Sequence, residues 1–187
     1  MVFYSKDIIV TTLTTHIPLS KINYYLKQKN IIYQKINSLN ELLIKDFKIL
    51  IPKLVICGIN PHAGENGTIG NEEKKFLQPI IKKLLNNGIN IQGPLSPDTI
   101  FNTRNRIKYD CFICIYHDQA LIPFKLLTEF EGVNYTGSLD IIRTSPDHGT
   151  AYNLIDKKNA SDKSLINSFI LAEKIYQNRL RSKLVTS

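Results

Sequence analysis

Three of the four histidines, His16, His62 and His117, each follow a short run of β-branched or apolar residues: "IVTTL", "LVICGI" and "CFICIY". Neutral imidazoles bind Zn²⁺ or a similar divalent ion, and three protein ligands leave one position open for water or substrate. The histidines are roughly fifty residues apart, too far for a local metal motif, so only the fold can bring them together. The plain alternative is three unrelated polar loop residues. "YHDQ" sets Asp118 beside His117, where a carboxylate can orient the imidazole, ligate or act as a general base. "SPD" places Asp98 at another strand end. Lys125, Asn134 and Arg143 follow at loose intervals, and Lys and Arg suit phosphate or carboxylate. Taken singly, each of these is more commonly a turn, cap or surface residue. "RTSPDHGTA" (143–151) is unusually rich in such groups for a bare connection.

Two glycine and cysteine patterns are weaker. "GENGTIG" is G-x-x-G-x-x-G and not the dinucleotide fingerprint G-x-G-x-x-G, so a nicotinamide cofactor has to bind outside a Rossmann turn. Cys111 and Cys114 form a single C-x-x-C inside a strand-like run, where residues i and i+3 face opposite sides. Buried strand cysteines are expected there, not a redox or zinc pair.

The elements that must position these residues alternate. "DIIVTTL" (7–13), "KLVICGI" (53–59), "NIQGPLSPDTIF" (90–101) and "YDCFICIYHDQ" (109–119) contain strands, and 132–151 mixes short extended pieces with turns. Helices are expected after Ser20 as N-cap, over 38–47, after Asn71 as N-cap to Gly88 with a break or kink at Pro79, and over 162–180. The last has Leu165, Phe169, Ala172 and Ile175 or Tyr176 on its apolar face. Such alternation implies an α/β fold with a largely parallel sheet flanked by helices, whose ligands gather beyond the carboxyl ends of the strands.

The chain has 187 residues, 43% of them hydrophobic and 21% charged, enough for one core without disulfides. Three cysteines are too few and odd in number for a disulfide framework, which points to a reducing compartment. With no secretory leader and no long apolar run, a cytoplasmic location is expected and no membrane partner. The net charge of +8 comes from scattered lysines with no nucleic-acid motif, so no nucleic-acid partner is expected. A basic balance also suits a phosphorylated or carboxylated substrate.

Six stretches occur in one order: "TTHIPLS" (14–20), "GINPHAGENGTIGNEE" (58–73), "GPLSPDTIF" (93–101), "YDCFICIYHDQALIPFK" (109–125), "GVN" (132–134) and "IIRTSPDHGTA" (141–151). Together they resemble the 4-hydroxythreonine-4-phosphate dehydrogenase family of pyridoxal 5'-phosphate synthesis. The resemblance implies a fold similar to the isocitrate and isopropylmalate dehydrogenases and a homodimer with active sites at the subunit interface. It implies one divalent ion (Zn, Mg, Co or Mn) on His16, His62 and His117, and substrate contacts from Lys125, Asn134 and Arg143. Catalytic or supporting roles fall on Asp98, Asp118 or Lys125, and NAD or NADP contacts on His148, Gly149, Thr150 and Ala151. Family members carry a first lobe before the "TTH" strand that is absent here. Residues 1–187 are therefore expected to form a single α/β unit, the carboxyl-terminal part of a two-lobed dehydrogenase. "GTIG" replaces the family's "GHMG", Ala120 replaces a glycine, "LLTEFE" stands in place of the Gly-rich segment before "GVN", and "IDKKNA" (155–160) replaces its "AG-G" loop.

The implied reaction is NAD-dependent oxidation of 4-phosphooxy-L-threonine at C3, followed by decarboxylation to 3-amino-2-oxopropyl phosphate. Three alternatives stay open: a metal-binding remnant or subunit, a dehydrogenase for another phosphorylated hydroxy acid, and a metal-dependent hydrolase of a phosphorylated substrate.

Overall fold

In the computed structural model, which describes residues 1–148 and 161–185, one seven-stranded sheet carries every strand described. The strands are β1 (Val2–Tyr4), β2 (Ile9–Thr12), β3 (Leu54–Cys57), β4 (Ile91–Leu95), β5 (Cys111–Cys114), β6 (Val133–Thr136) and β7 (Arg143–Pro146), in the spatial order β4-β3-β5-β2-β1-β6-β7. The pairs β4/β3, β3/β5 and β5/β2 are parallel; β2/β1, β1/β6 and β6/β7 are antiparallel. Strands β2 to β6 therefore all point one way, and only β1 and β7 run against them. The largely parallel sheet holds in direction, with an antiparallel margin that the sequence did not announce.

Side chains alternate across this sheet, as the pleat requires. Ile9, Leu54, Ile56, Cys111, Ile113, Val133 and Tyr135 face a thick helical layer of α2 (Lys29–Phe47), α3 (Gln78–Asn86) and α6 (Lys163–Val185). Phe3, Val10, Val55, Cys57, Phe112 and Cys114 face a thinner layer dominated by α5 (His117–Thr128). Cys111 and Cys114 thus lie on opposite faces, and all three cysteines are free and buried.

Several elements differ from the sequence expectation. Residues 29–47 form one continuous helix, and the segment after Ser20 gives only the short α1 (Ile22–Leu26), with no side-chain cap. No side chain caps the next helical segment, although the Asn71 carbonyl accepts from the Lys75 amide at 2.8 Å; a π-helical turn, Glu73–Leu77, leads into α3, with Pro79 in its first turn, where the missing N–H costs nothing. A short α4 (Thr103–Lys108) is capped by the Asn102 side chain. Helix α5 begins directly at His117 and contains Pro123. That proline cannot donate to the Gln119 carbonyl, and the Cys114 thiol approaches it instead, at 3.7 Å.

The face of α6 is also corrected. Its buried stripe is Ser164, Ser168, Leu171, Ile175 and Asn178, while Leu165 and Phe169 are exposed. Polar residues can line the stripe because their groups are satisfied: the Ser164 hydroxyl donates to the Gly132 carbonyl at 2.6 Å and the Asn178 amide to the Asp46 carbonyl at 2.7 Å. Beside Asn178, Arg179 forks onto the buried Asp46 carboxylate at 2.7 and 3.1 Å, and the Tyr135 hydroxyl donates to it at 2.6 Å. This group ties α6 to α2 and β6. No helix among the described residues is long and apolar enough to cross a membrane.

Candidate active site at the carboxyl ends of the parallel strands

Strands β3, β5 and β2 are neighbours, and each hands its carboxyl end to a histidine: His62, His117 and His16. Parallel strands lie about 4.8 Å apart, so three residues distant in sequence share one edge of the sheet. Asp98 follows β4 at the same edge. Arg143 opens β7 opposite Thr136, the last residue of β6, and so lies toward that edge too; its guanidinium donates to the Thr136 hydroxyl at 2.8 Å.

The imidazoles of His16 and His117 face each other with ring centroids 5.4 Å apart. His117 Nδ1 lies 3.0 Å from the Asp118 carboxylate. A proton on Nδ1, shared with Asp118, leaves the Nε2 lone pair free for a ligand. His62 does not join this pair. Among the described residues no three His, Cys, Asp or Glu side chains are gathered for a metal. His62 instead lines a cavity of about 320 Å³ with Glu65, Asn66, Lys74 and Pro94. Two larger cavities, about 510 and 530 Å³, open against α6, away from the histidines.

The backbone at these histidines is unusual. His16 and His62 have φ of 52° and 51°. From His62 to Asn66 every residue is left-handed, an actual left-handed turn of five residues, four of them not glycine. L-residues resist this conformation by roughly 1–2 kcal/mol each, though His and Asn tolerate it better than most. Offsetting contacts are visible. The buried Glu73 carboxylate accepts from the Ile59 and Asn60 amides at 2.9 and 2.8 Å and from the Asn60 side chain at 2.9 Å. Hydrogen bonds to a charged group contribute about 1.5–3 kcal/mol each, the same order as the strain. Lys74 donates to the Asn66 carbonyl at the exit of the turn.

Two further residues stitch the strand ends together. The Gln119 side chain accepts from the Ile115 amide at 2.7 Å and donates to the Gly58 carbonyl at 2.8 Å, joining the end of β5 to the end of β3. The Thr14 hydroxyl donates to the Ile115 carbonyl at 2.7 Å, joining β2 to β5. Neither role is legible from composition, although Gln119 stands in "YHDQ" beside His117.

The remaining predicted residues are spread around this edge. Asp98 is exposed; the Ser96 hydroxyl donates to it at 2.5 Å and holds its carboxyl below the usual range, with His62 adding in the same direction. Lys125, two turns into α5, lies 5.7 Å from the Phe130 ring. Asn134 alternates with Val133 and Tyr135 and so faces the α5 side, where its buried side-chain oxygen has no partner among the described residues. Asp147, which sequence reasoning did not single out, is buried with one carboxylate oxygen likewise unpartnered. Burial pushes its pKa up, against the opposing charges of Lys125, His117 and His148. His148 is exposed, and Gly149, Thr150 and Ala151, with 155–160, lie outside the described residues. Burial pushes the Cys111 and Cys114 thiols up, so neither is a thiolate at neutral pH.

Sheet and edge together define an α/β protein with a largely parallel sheet, a fold shared at TM-score 0.65 and 20% identity with a terephthalate 1,2-cis-dihydrodiol dehydrogenase from Burkholderia xenovorans LB400. The closer likenesses are more specific. The family model of the pyridoxal phosphate biosynthetic protein PdxA matches residues 1–172, and the chain belongs to that family. It is 43% identical over 173 residues to the 4-hydroxythreonine-4-phosphate dehydrogenase of Aquifex aeolicus, covering 92% of this chain and 53% of that one. The crystal structure of the Klebsiella pneumoniae 4-hydroxythreonine-4-phosphate dehydrogenase superposes with TM-score 0.79 at 35% identity, over 93% of this chain and 53% of the other. The chain thus spans about half the length of the relatives it matches.

Proposed function

We propose that this chain is the carboxyl-terminal unit of a 4-hydroxythreonine-4-phosphate dehydrogenase. The reaction is oxidation of 4-phosphooxy-L-threonine at C3 with NAD or NADP, then loss of CO₂ to give 3-amino-2-oxopropyl phosphate. The observation that carries this reading is the adjacency of β3, β5 and β2, each ending at one of the three histidines.

His16, His62 and His117 are the ligand set for one divalent ion. The donor set fits: His16 and His117 already face each other, and Asp118 holds the His117 Nδ1 side. The set is completed across a contact between two copies of the chain. In support, α5, which starts at His117, carries an exposed apolar row of Ile122 and Leu126, with Phe130 just beyond its end. When bound, such an ion supplies Lewis acidity toward the hydroxyl being oxidised and the carbonyl that replaces it. Arg143 and Lys125 hold the anionic groups of the substrate, and the unpartnered Asn134 oxygen accepts from its ammonium or hydroxyl. Asp98, Asp118 or Lys125 takes the C3 hydroxyl proton, and a bound nicotinamide would supply the hydride acceptor. His148, Gly149, Thr150 and Ala151 would contact that cofactor.

Titration of the purified chain with Co²⁺ or Zn²⁺ tests the ligand set. One ion per site is expected, lost in each of His16→Ala, His62→Ala and His117→Ala. Full affinity in any one of them removes that residue from the set. For the chemistry, NADH absorbance with 4-phosphooxy-L-threonine separates a dehydrogenase from a hydrolase, which would release phosphate without NAD.

A further inference from the structure

Glu73 is 2% exposed, yet it sits in a lysine-flanked helical turn whose neighbours Glu72 and Lys74 reach solvent. Its carboxylate points back under the loop that bears His62. One oxygen receives the amides of Ile59 and Asn60, the two residues before Pro61 and His62; the other receives the Asn60 side chain, which also donates to Glu72 at 2.8 Å. The loop is shaped to admit this clasp. A Cβ at Gly64 would lie 2.6 Å from the Glu73 carboxylate, and one at Gly70 would lie 2.3 Å from the Asn60 side chain. Gly64 is itself left-handed, at φ +79°. Acceptor, glycines and left-handed turn are therefore parts of one construction, and its outward-facing member is His62.

We propose that Glu73 is a positioning residue for His62: its buried carboxylate pins the start of the left-handed turn and so fixes where the imidazole is presented. The consequence for metal rests on the reading above that His62 is a ligand; the consequence for the backbone does not. Outer contacts that orient a ligand typically change metal affinity ten- to a hundredfold when removed.

The test uses the full chain with Co²⁺ alone, read by its visible absorbance, together with hydrogen exchange at Ile59 and Asn60. Glu73→Ala is expected to weaken Co²⁺ binding ten- to a hundredfold and to speed exchange at both amides. Glu73→Gln keeps a carbonyl oxygen for those amides and is expected to stay within about threefold of the parent. Gly64→Ala, which crowds the carboxylate without removing it, should move both readouts as Glu73→Ala does and serves where that variant fails to fold. A purely structural role would lower the melting temperature and leave cobalt affinity and spectrum alone. Parental cobalt affinity in Glu73→Ala, where His62→Ala has lost it, overturns the proposal. If His62→Ala retains cobalt, the metal reading fails instead, and exchange decides: unchanged protection at Ile59 and Asn60 overturns the proposal, and lost protection upholds it.

Discussion

Glu73 and Asp46 are both buried carboxylates, each 2% exposed, and they are satisfied by different means. Glu73 takes backbone amides and one neutral side chain, all within fifteen residues of itself. Asp46 takes an arginine fork and a tyrosine hydroxyl from elements about ninety and over one hundred and thirty residues away. The first shapes a loop that ordinary backbone preference would refuse. The second joins ordinary helices and a strand that would form without it. A carboxylate bonded to local amides fixes conformation; one bonded to a distant cation fixes packing.

That contrast breaks most visibly at Asp46. Replacing it with Ala strands the mostly buried Arg179 guanidinium without its partner, a loss of about 3–5 kcal/mol. Thermal unfolding should show a midpoint lower by roughly 10 °C for a chain of this size, with cobalt affinity within about twofold of the parent. A loss under about 1 kcal/mol, or a matching loss of cobalt, would erase the distinction between the two carboxylates.

Gly64→Ala comes next. The methyl meets the Glu73 carboxylate and the Gly70 carbonyl at 2.6 and 2.7 Å in a left-handed backbone, so strain and overpacking add to about 2–4 kcal/mol. Urea unfolding measures it; a neutral result would mean that the turn is not held as described.

The smallest effect has the opposite sign. Asp147 is a third buried carboxyl, with one oxygen unpartnered among the described residues, and its pKa is raised by burial in the folded chain. A raised folded-state pKa in an acid favours folding below the unfolded value and loses that benefit as pH rises through the folded value. At neutral pH the ionised group is therefore a burden, and Asp147→Asn should stabilise by about 1 kcal/mol, some 2–4 °C. The gap should close as pH falls toward 4. A variant that melts below the parent at pH 7.5 would show that the carboxylate has a stabilising partner after all.

The histidine edge was legible because strand-like apolar runs stop at His16, His62 and His117, and parallel topology then gathers the stops. The clasp beneath it was not. Glu73 looks in sequence like any acid at a helix start, and only the backward turn of its side chain gives it another use. Helix α5 was missed because "YHDQ" seemed to close a strand and Pro123 argues against a helix; the Cys114 thiol facing the freed carbonyl is tertiary information. The face of α6 was misread because Ser164, Ser168 and Asn178 take core positions by bonding to backbone carbonyls and the Leu and Phe beside them face outward, and periodicity counts only apolar residues.

Strand β1 carries one more consequence. Val2–Tyr4 pair on one side with Ile9–Thr11 and on the other with Val133–Tyr135. On a ribosome adding roughly 5–20 residues per second, the second partner appears on the order of ten seconds after the first. For that interval one flank of the newborn hairpin shows bare amides and carbonyls to anything nearby, the kind of edge that recruits foreign strands.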